Sequence, residues 1–377
     1  MVAGTLTVVQ MLPDLQSGGV EQGTLETGAF LSRLGHRSIV ISGGGRLVPK
    51  LVRDGSTHIK WNVGKKSPLS LRYIWSLRRF LVEKKVDILH VRSRVPAWIG
   101  YLAWKSIPAS ERPSFVTTVH GYYSVHSFSS VMTKGERVIA VSESIKRYIE
   151  ESFPKAGQNR VCVIHRGIDP SEFPYAHSPS DAWLKAWHDK FPELKGKFVI
   201  AIVGRLSRLK GHLFFAELIN RLLDIGMPVH GLVVGGNNDD SSDYFLELRR
   251  FIDINHLKNH ITFVGFRRDV KDIMASADLV TSFSQKPESF GRSVLEALSL
   301  GVPVAGFEYG GVQELLEQIF PQGLVRVNDM DHAVKVISYI HKKHPLPLRN
   351  HSFTLDKMLK ATLGQYCGLI EAKERIK

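Results

Sequence analysis

Short apolar runs rich in β-branched residues alternate with longer stretches of helical periodicity along the whole chain. TLTVVQ (residues 5–10), HRSIVIS (36–42), VDILHVRS (86–93), SFVTTVH (114–120), RVIAVS (137–142) and RVCVIH (160–165) read as strands, with helices predicted between them over residues 20–34, 69–85 and 143–150. Pro170, Pro174, Pro179 and Pro192 interrupt this rhythm, and residues 170–192 read as a linker with a short helix. A second series follows: FVIAIVG (198–204), VHGLVVGG (229–236), ITFVG (261–265), ADLVTSF (277–283), VPVAGF (302–307) and GLVRV (323–327), again with helices between. Strands that are apolar throughout are buried on both faces, so each series predicts a doubly wound parallel α/β sheet. A last helix is expected from about residue 355.

At 377 residues the chain exceeds one ordinary core and suits two α/β domains, divided here as residues 1–177 and 178–354. Its hydrophobic fraction of 43% and charged fraction of 23% are those of a soluble globular protein. No run reaches the eighteen or so apolar residues of a spanning helix, and residues 1–10 lack the features of a signal peptide, so a cytoplasmic protein is expected. Cys162 and Cys367 fit a reducing compartment and are expected in the core.

Charge changes this picture. Residues 1–170 hold 24 Lys and Arg against 12 Asp and Glu, nearly all of the chain's net +14, which points to an anionic partner for that half. Residues 65–85 (KKSPLSLRYIWSLRRFLVEKK) mix seven cations with Tyr73, Trp75 and Phe80 in a helical pattern, the composition of a helix lying on an anionic membrane. The same pattern fits a packed helix that buries Ile74, Leu77 and Leu81. The cations form no recognition helix or base-stacking motif, so nucleic acid is not expected as a partner.

Candidate chemistry concentrates in two segments of the second half. SQKPESFGRSVLEALSLGVPV reads as strand end, loop and helix, with Glu288 in the loop and Glu296 about two turns into the helix. A helix N-terminus suits an anion and the carboxylates suit hydroxyls, a pairing that matches a nucleotide sugar. Upstream, VGRLSRLKGH places Arg205, Arg208 and Lys210 at the carboxyl end of a strand, where open α/β sheets bind phosphate. The turn SGGV with Gly18 and Gly19 lacks the GxGxxG spacing of a dinucleotide fingerprint and suits close approach of backbone N–H groups to a ligand. His120 ends a strand before Gly121. Asp239 with Asp240, and Asp329 with Asp331, are not read as a metal pair: the first lies in a polar loop and the second reads as a helix cap.

VGRLSRLKGH, FVGFRRDV and ESFGRSVLEALSLGVPVAGFEYGGVQELL, with SGGVEQGTLETGAFLSRLGHRSIVIS, VTTVHGYYS, VIAVSES and VIHRGID, together resemble the retaining glycosyltransferases of family 4. HVRSRVPAW with TTVHGYY is similar to bacterial enzymes of lipopolysaccharide core assembly. The resemblance implies the GT-B fold, two Rossmann-like domains facing a cleft, with the helix at about 355–377 returning to the first. It implies that the first domain binds the acceptor and the second the nucleotide sugar, without a metal. Arg205 and Lys210 match the diphosphate-binding pair. Glu288, with the backbone of Ser289, Phe290 and Gly291, matches the residues holding the donor sugar, and Glu296 those holding the ribose. Gly18 and Gly19 fall at the donor's phosphate edge, and His120 matches a histidine assigned to the reacting sugar or acceptor. Ser289 stands where many relatives have Gly. Arg92, Arg94, Tyr122 and Tyr123 neighbour His120 in the pattern and are candidate acceptor contacts. The expected donor is a UDP-hexose or UDP-N-acetylhexosamine, and the expected acceptor a lipid-linked core oligosaccharide at the inner face of the membrane. An inactive basic scaffold binding membrane or nucleic acid, an inverting transferase, or an epimerase on the same fold are the competing readings.

Overall fold

The apolar runs form the strands of two parallel sheets in the computed structural model, which describes residues 4–16, 18–65, 67–236 and 242–375. The chain divides into one unit of residues 1–167 and 356–377 and a second of residues 168–355.

In the first unit β1 (Thr7–Met11), α1 (Gly19–Arg33), β2 (Arg37–Ser42), α2 (Val48–Arg53), β3 (Thr57–Lys60), α3 (Arg72–Glu83), β4 (Ile88–Val91), α4 (Arg94–Lys105), β5 (Ser114–Val119), β6 (Arg137–Ala140), α5 (Glu143–Ser152) and β7 (Val161–Val163) follow in order. The strands lie as β3-β2-β1-β4-β5-β6-β7, all pairs parallel. Central strands such as β1 and β4 are buried at every position, which is why they read as unbroken apolar runs. The edge strand β3 is THIK, half wet and without such a run, and only pairing with β2 identifies it.

The second unit holds α6 (Asp181–Lys190), β8 (Phe198–Val203), α7 (His212–Asp224), β9 (Val229–Val234), α8 (Asp243–Ile254), β10 (Ile261–Gly265), α9 (Val270–Ala275), β11 (Leu279–Ser282), α10 (Arg292–Ser299), β12 (Val304–Phe307), α11 (Gly310–Ile319), β13 (Leu324–Val325) and α12 (Met330–Lys343). Its order is β10-β9-β8-β11-β12-β13, again parallel. Asp329 caps α12, its Oδ1 accepting from the His332 amide at 2.8 Å, as the sequence implied. Asp239 and Asp240 lie outside the described residues.

The final helix α13 (Leu355–Glu374) belongs, from Asp356 on, to the first unit. Tyr366, fully buried, bonds His90 Nδ1 at 2.6 Å, and Lys373 Nζ donates to the Arg112 carbonyl at 3.1 Å. The first unit carries 29 Lys and Arg against 14 Asp and Glu, the second 21 against 22, so basicity is a property of one fold unit. The helix α3 buries Leu77 and Leu81, half-buries Ile74, and leaves Trp75 72% exposed beside Arg72 and Arg79. Cys162 and Cys367 correct an expectation: neither forms a disulfide among the described residues, and both are only half-buried rather than in the core.

Candidate active site

Each sheet reverses its strand order once, and in open α/β sheets ligands bind outside the carboxyl ends of the strands at that point. In the second unit the reversal lies between β8 and β11, paired from Leu279↔Ile200. Residues 204–211 leave β8 and residues 283–291 leave β11, and the Gln285 amide donates to the Leu209 carbonyl at 2.7 Å. Gly211 adopts φ +75°, and a Cβ there would lie 2.0 Å from the Phe283 carbonyl oxygen, so only glycine lets the two loops meet.

That meeting brings Lys210 Nζ to 2.7 Å from Glu288 Oε1, with both side chains partly exposed to a ligand. Ser284 Oγ donates to the same oxygen. The Tyr309 hydroxyl donates to the Ser284 carbonyl, and burial, then the Glu288 charge, pushes its pKa up to about 12. Arg205 is exposed and makes no ion pair among the described residues, whereas Arg208 pairs with Glu247 and lies 5.2 Å over the Tyr244 ring. Arg208 is therefore drawn to α8.

Gly291, at φ +92°, precedes α10, which begins at Arg292. Glu296 is thus just over one turn into the helix rather than about two, and its Oε1 accepts from Arg292 Nε at 2.9 Å. Phe290 is buried in the core, and Ser289 is half-buried.

In the first unit the reversal lies between β1 and β4. Ser17 lies outside the described residues; Gly18 caps α1 at φ +136°, and the Gly19 carbonyl accepts from Arg166 Nη2 at 3.1 Å. Arg92, directly after β4, is buried: Nε and Nη2 donate to Gln10 Oε1 at 3.0 and 2.7 Å, and Nη2 to Thr27 Oγ1 at 3.1 Å. Its guanidinium braces β1 and α1 rather than facing solvent. Arg94 lies 5.0 Å over the Tyr123 ring and donates to Ser129 Oγ, the Tyr123 hydroxyl accepts from the His120 amide at 3.4 Å, and Tyr122 is exposed against Tyr148. His120, Tyr123 and Arg94 are brought together; Arg92 lies beneath them.

Two residues not singled out in the sequence complete this site. Arg166 Nη2 lies 3.0 Å from His120 Nδ1, and a guanidinium can only donate, so Nδ1 accepts and the ring proton sits on Nε2. That Nε2 is buried and without a hydrogen-bond partner among the described residues, a donor held ready for a ligand oxygen. Burial, then the charges of Arg166 and Arg92, hold the His120 pKa well below its ordinary value, so the ring is neutral. Gly23 gives Arg166 its seat: a Cβ would stand 1.9 Å from Nη1. The signal was present in VIHRGID, a cation directly after an apolar strand.

Residues 17–172 match the family described as Glycosyltransferase Family 4, and residues 185–351 that described as Glycosyl transferases group 1. The chain is 27% identical over 286 residues to the Escherichia coli UDP-Gal:alpha-D-GlcNAc-diphosphoundecaprenol alpha-1,3-galactosyltransferase, covering 71% of this chain and 69% of that protein. A glycosyltransferase structure from Rickettsia africae superimposes with a TM-score of 0.85 at 28% identity, covering 97% of this chain and 99% of the other. Anabaena HepE in complex with UDP-glucose superimposes at 0.73 with 21% identity over 98% of each chain, a likeness of fold. The two sheets and the returning helix are those of the GT-B fold.

Proposed function

The chain belongs to glycosyltransferase family 4, and on that footing we propose that it moves a hexose or N-acetylhexosamine, with retention, from a UDP-linked donor to a lipid-linked or lipopolysaccharide core saccharide. The observation that carries this reading is the Lys210–Glu288 contact of 2.7 Å at the switch point of the second sheet. An ammonium beside a carboxylate suits a ligand that is part diphosphate and part polyol.

The second unit takes the donor. Arg205 and Lys210 stabilise the negative charge that develops on the leaving diphosphate, Glu288 and the backbone of residues 289–291 hold the sugar hydroxyls, and Glu296 the ribose. Gly18 and Gly19 serve the donor's phosphate edge. The first unit takes the acceptor, with His120 at the reacting sugar or acceptor and Arg94, Tyr122 and Tyr123 as contacts, while Arg92 holds the site from below. The E. coli relative's name, with its UDP-galactose donor and undecaprenol-linked acceptor, supports the donor class and a lipid carrier. A panel of nucleotide sugars should raise the melting temperature only for UDP-linked members, and transfer to purified lipid-linked core saccharide should continue in excess chelator, since two cations serve the diphosphate. Stabilisation by GDP- or ADP-sugars alone would overturn the donor class; transfer restored only by magnesium or manganese would overturn the metal-free reading.

The same unit is placed at the anionic inner face of the membrane, on the strength of its excess of cations and of Trp75, Arg72 and Arg79 exposed on α3. No helix among the described residues is long and apolar enough to cross a membrane. Surface cations contribute about 1 kcal/mol each near anionic lipid. Sedimentation with phosphatidylglycerol vesicles should therefore fall as salt rises and fall further on Arg72→Glu with Arg79→Glu. Equal binding to neutral vesicles would return α3 to an ordinary packed helix.

A further inference from the structure

The first unit also carries an apolar groove for which the donor chemistry has no use. Between the start of α3, one side of α4 and the loop after β5, a cavity of about 430 Å³ is lined by Leu71, Ile74, Val95, Trp98, Leu102 and Phe128. That volume is enough for a small-molecule ligand. Leu71 and Leu102 are 56% and 38% exposed, so apolar surface at the mouth is left in water.

Position and charge both limit what could cover it. Val95 and Trp98 lie on the first turns of α4, whose first residue, Arg94, covers the Tyr123 ring. Trp98 Nε1 donates to the Phe128 carbonyl at 2.8 Å, fixing the indole against the loop that carries Tyr122 and Tyr123. The groove therefore shares α4 and the loop after β5 with the candidate acceptor residues. Lys65 lines it, and Arg72 follows Leu71 at the mouth with its guanidinium 5.0 Å from the Tyr73 ring. An apolar slot with cations at its rim, in a unit with 29 cationic against 14 acidic residues, is complementary to a hydrocarbon chain that ends in a phosphate.

We propose that this groove takes the hydrocarbon chain of the phosphate-bearing lipid that carries the acceptor saccharide, with the Lys65 ammonium at its phosphate. The proposal rests on the lipid-linked acceptor read above and adds where its lipid is held. Recognition of the chain itself selects lipid-borne over free saccharides, a discrimination that sugar contacts alone do not provide.

Butyl, octyl and dodecyl phosphate, titrated calorimetrically into the full chain below their micellar concentrations, test it directly. Affinity should tighten by about fourfold per added methylene until the groove is full. In the Leu71→Asp/Leu102→Asp variant the dependence on chain length should disappear. Both residues are partly exposed, so the fold should persist, and unchanged thermal stabilisation by UDP-glucose or UDP-galactose reports that it has. Lys65→Glu should weaken octyl and dodecyl phosphate by a similar factor, and dodecyltrimethylammonium should bind less well than dodecyl phosphate. A flat series in the parent protein, or an unaltered slope in the double variant, overturns the proposal. So does binding to phosphatidylglycerol vesicles without binding to monomeric phosphates, which makes the face a membrane contact, or a dimer abolished by Leu71→Asp, which makes it a self-contact. None of these outcomes touches donor stabilisation, so failure here and failure of the transferase reading are told apart.

Discussion

Lys210→Ala should lower kcat by about two to three orders of magnitude with donor saturating, the scale expected when one preorganised charge on a leaving group is removed. Lys210 is held at 2.7 Å from Glu288 by loops that meet only because Gly211 permits it, so the ammonium is in place before the diphosphate charge develops. An interaction that strengthens in the transition state lowers kcat and kcat/KM together, whereas one equal in both states would raise KM alone. Glu288→Gln should cost at least about tenfold by weakening the hold on the sugar hydroxyls and leaving Lys210 without its partner. Partly exposed ion pairs contribute little to stability, so both variants should melt close to the parent. Turnover within twofold or so of the parent at saturating donor would remove Lys210 from the mechanism.

The second large effect is expected at Arg166, which no contact with substrate is needed to explain. Arg166→Met should lower kcat by about a hundredfold, because His120 loses the donor that fixes its tautomer and the Nε2 proton loses its aim. The pH profile separates positioning from simple damage. Burial first, and then the Arg166 charge, depress the His120 pKa; without that charge it rises towards its ordinary value of 6.5. The acid limb of kcat/KM should then move to higher pH. Arg166→Lys keeps the charge but loses the planar fork, so it should lose rate while its acid limb stays near the parent's. Gly23→Ala, which drives a methyl into Nη1, should reproduce the loss of rate.

Stability follows the same titration. A histidine with a depressed folded pKa binds more protons when unfolded, so its contribution is present above about pH 6.5 and is lost as pH falls towards the folded value. His90 behaves alike, and in the second unit burial holds His212 and His230 at about 4. Acid should therefore destabilise both units, with a smaller loss in the first for Arg166→Met. A parent-like acid limb together with a parent-like kcat in that variant would leave Arg166 no part in positioning His120.

The linear pattern by itself determined most of the strands, because parallel strands covered on both faces, such as β1 and β12, carry continuous apolar runs. It also determined the turn at residues 204–211 and the Asp329 cap, since turns and caps are written in adjacent residues. It left α10 starting too early by most of a turn: the distance from Glu288 to Glu296 is fixed in sequence, but the helix waits for Gly291. It also offered Arg92 and Arg94 as equals, two cations on either side of Ser93. Strand order decides between them: Arg92 directly follows β4 beside β1 and turns inward to Gln10, while Arg94 opens α4, half-buried over the Tyr123 ring. Lys210 and Glu288 are 78 residues apart and Arg166 and His120 are 46 apart, and no local period connects them. They meet because parallel crossovers bring the carboxyl ends of distant strands to one edge of a sheet, and that is a property of the packed sheet alone.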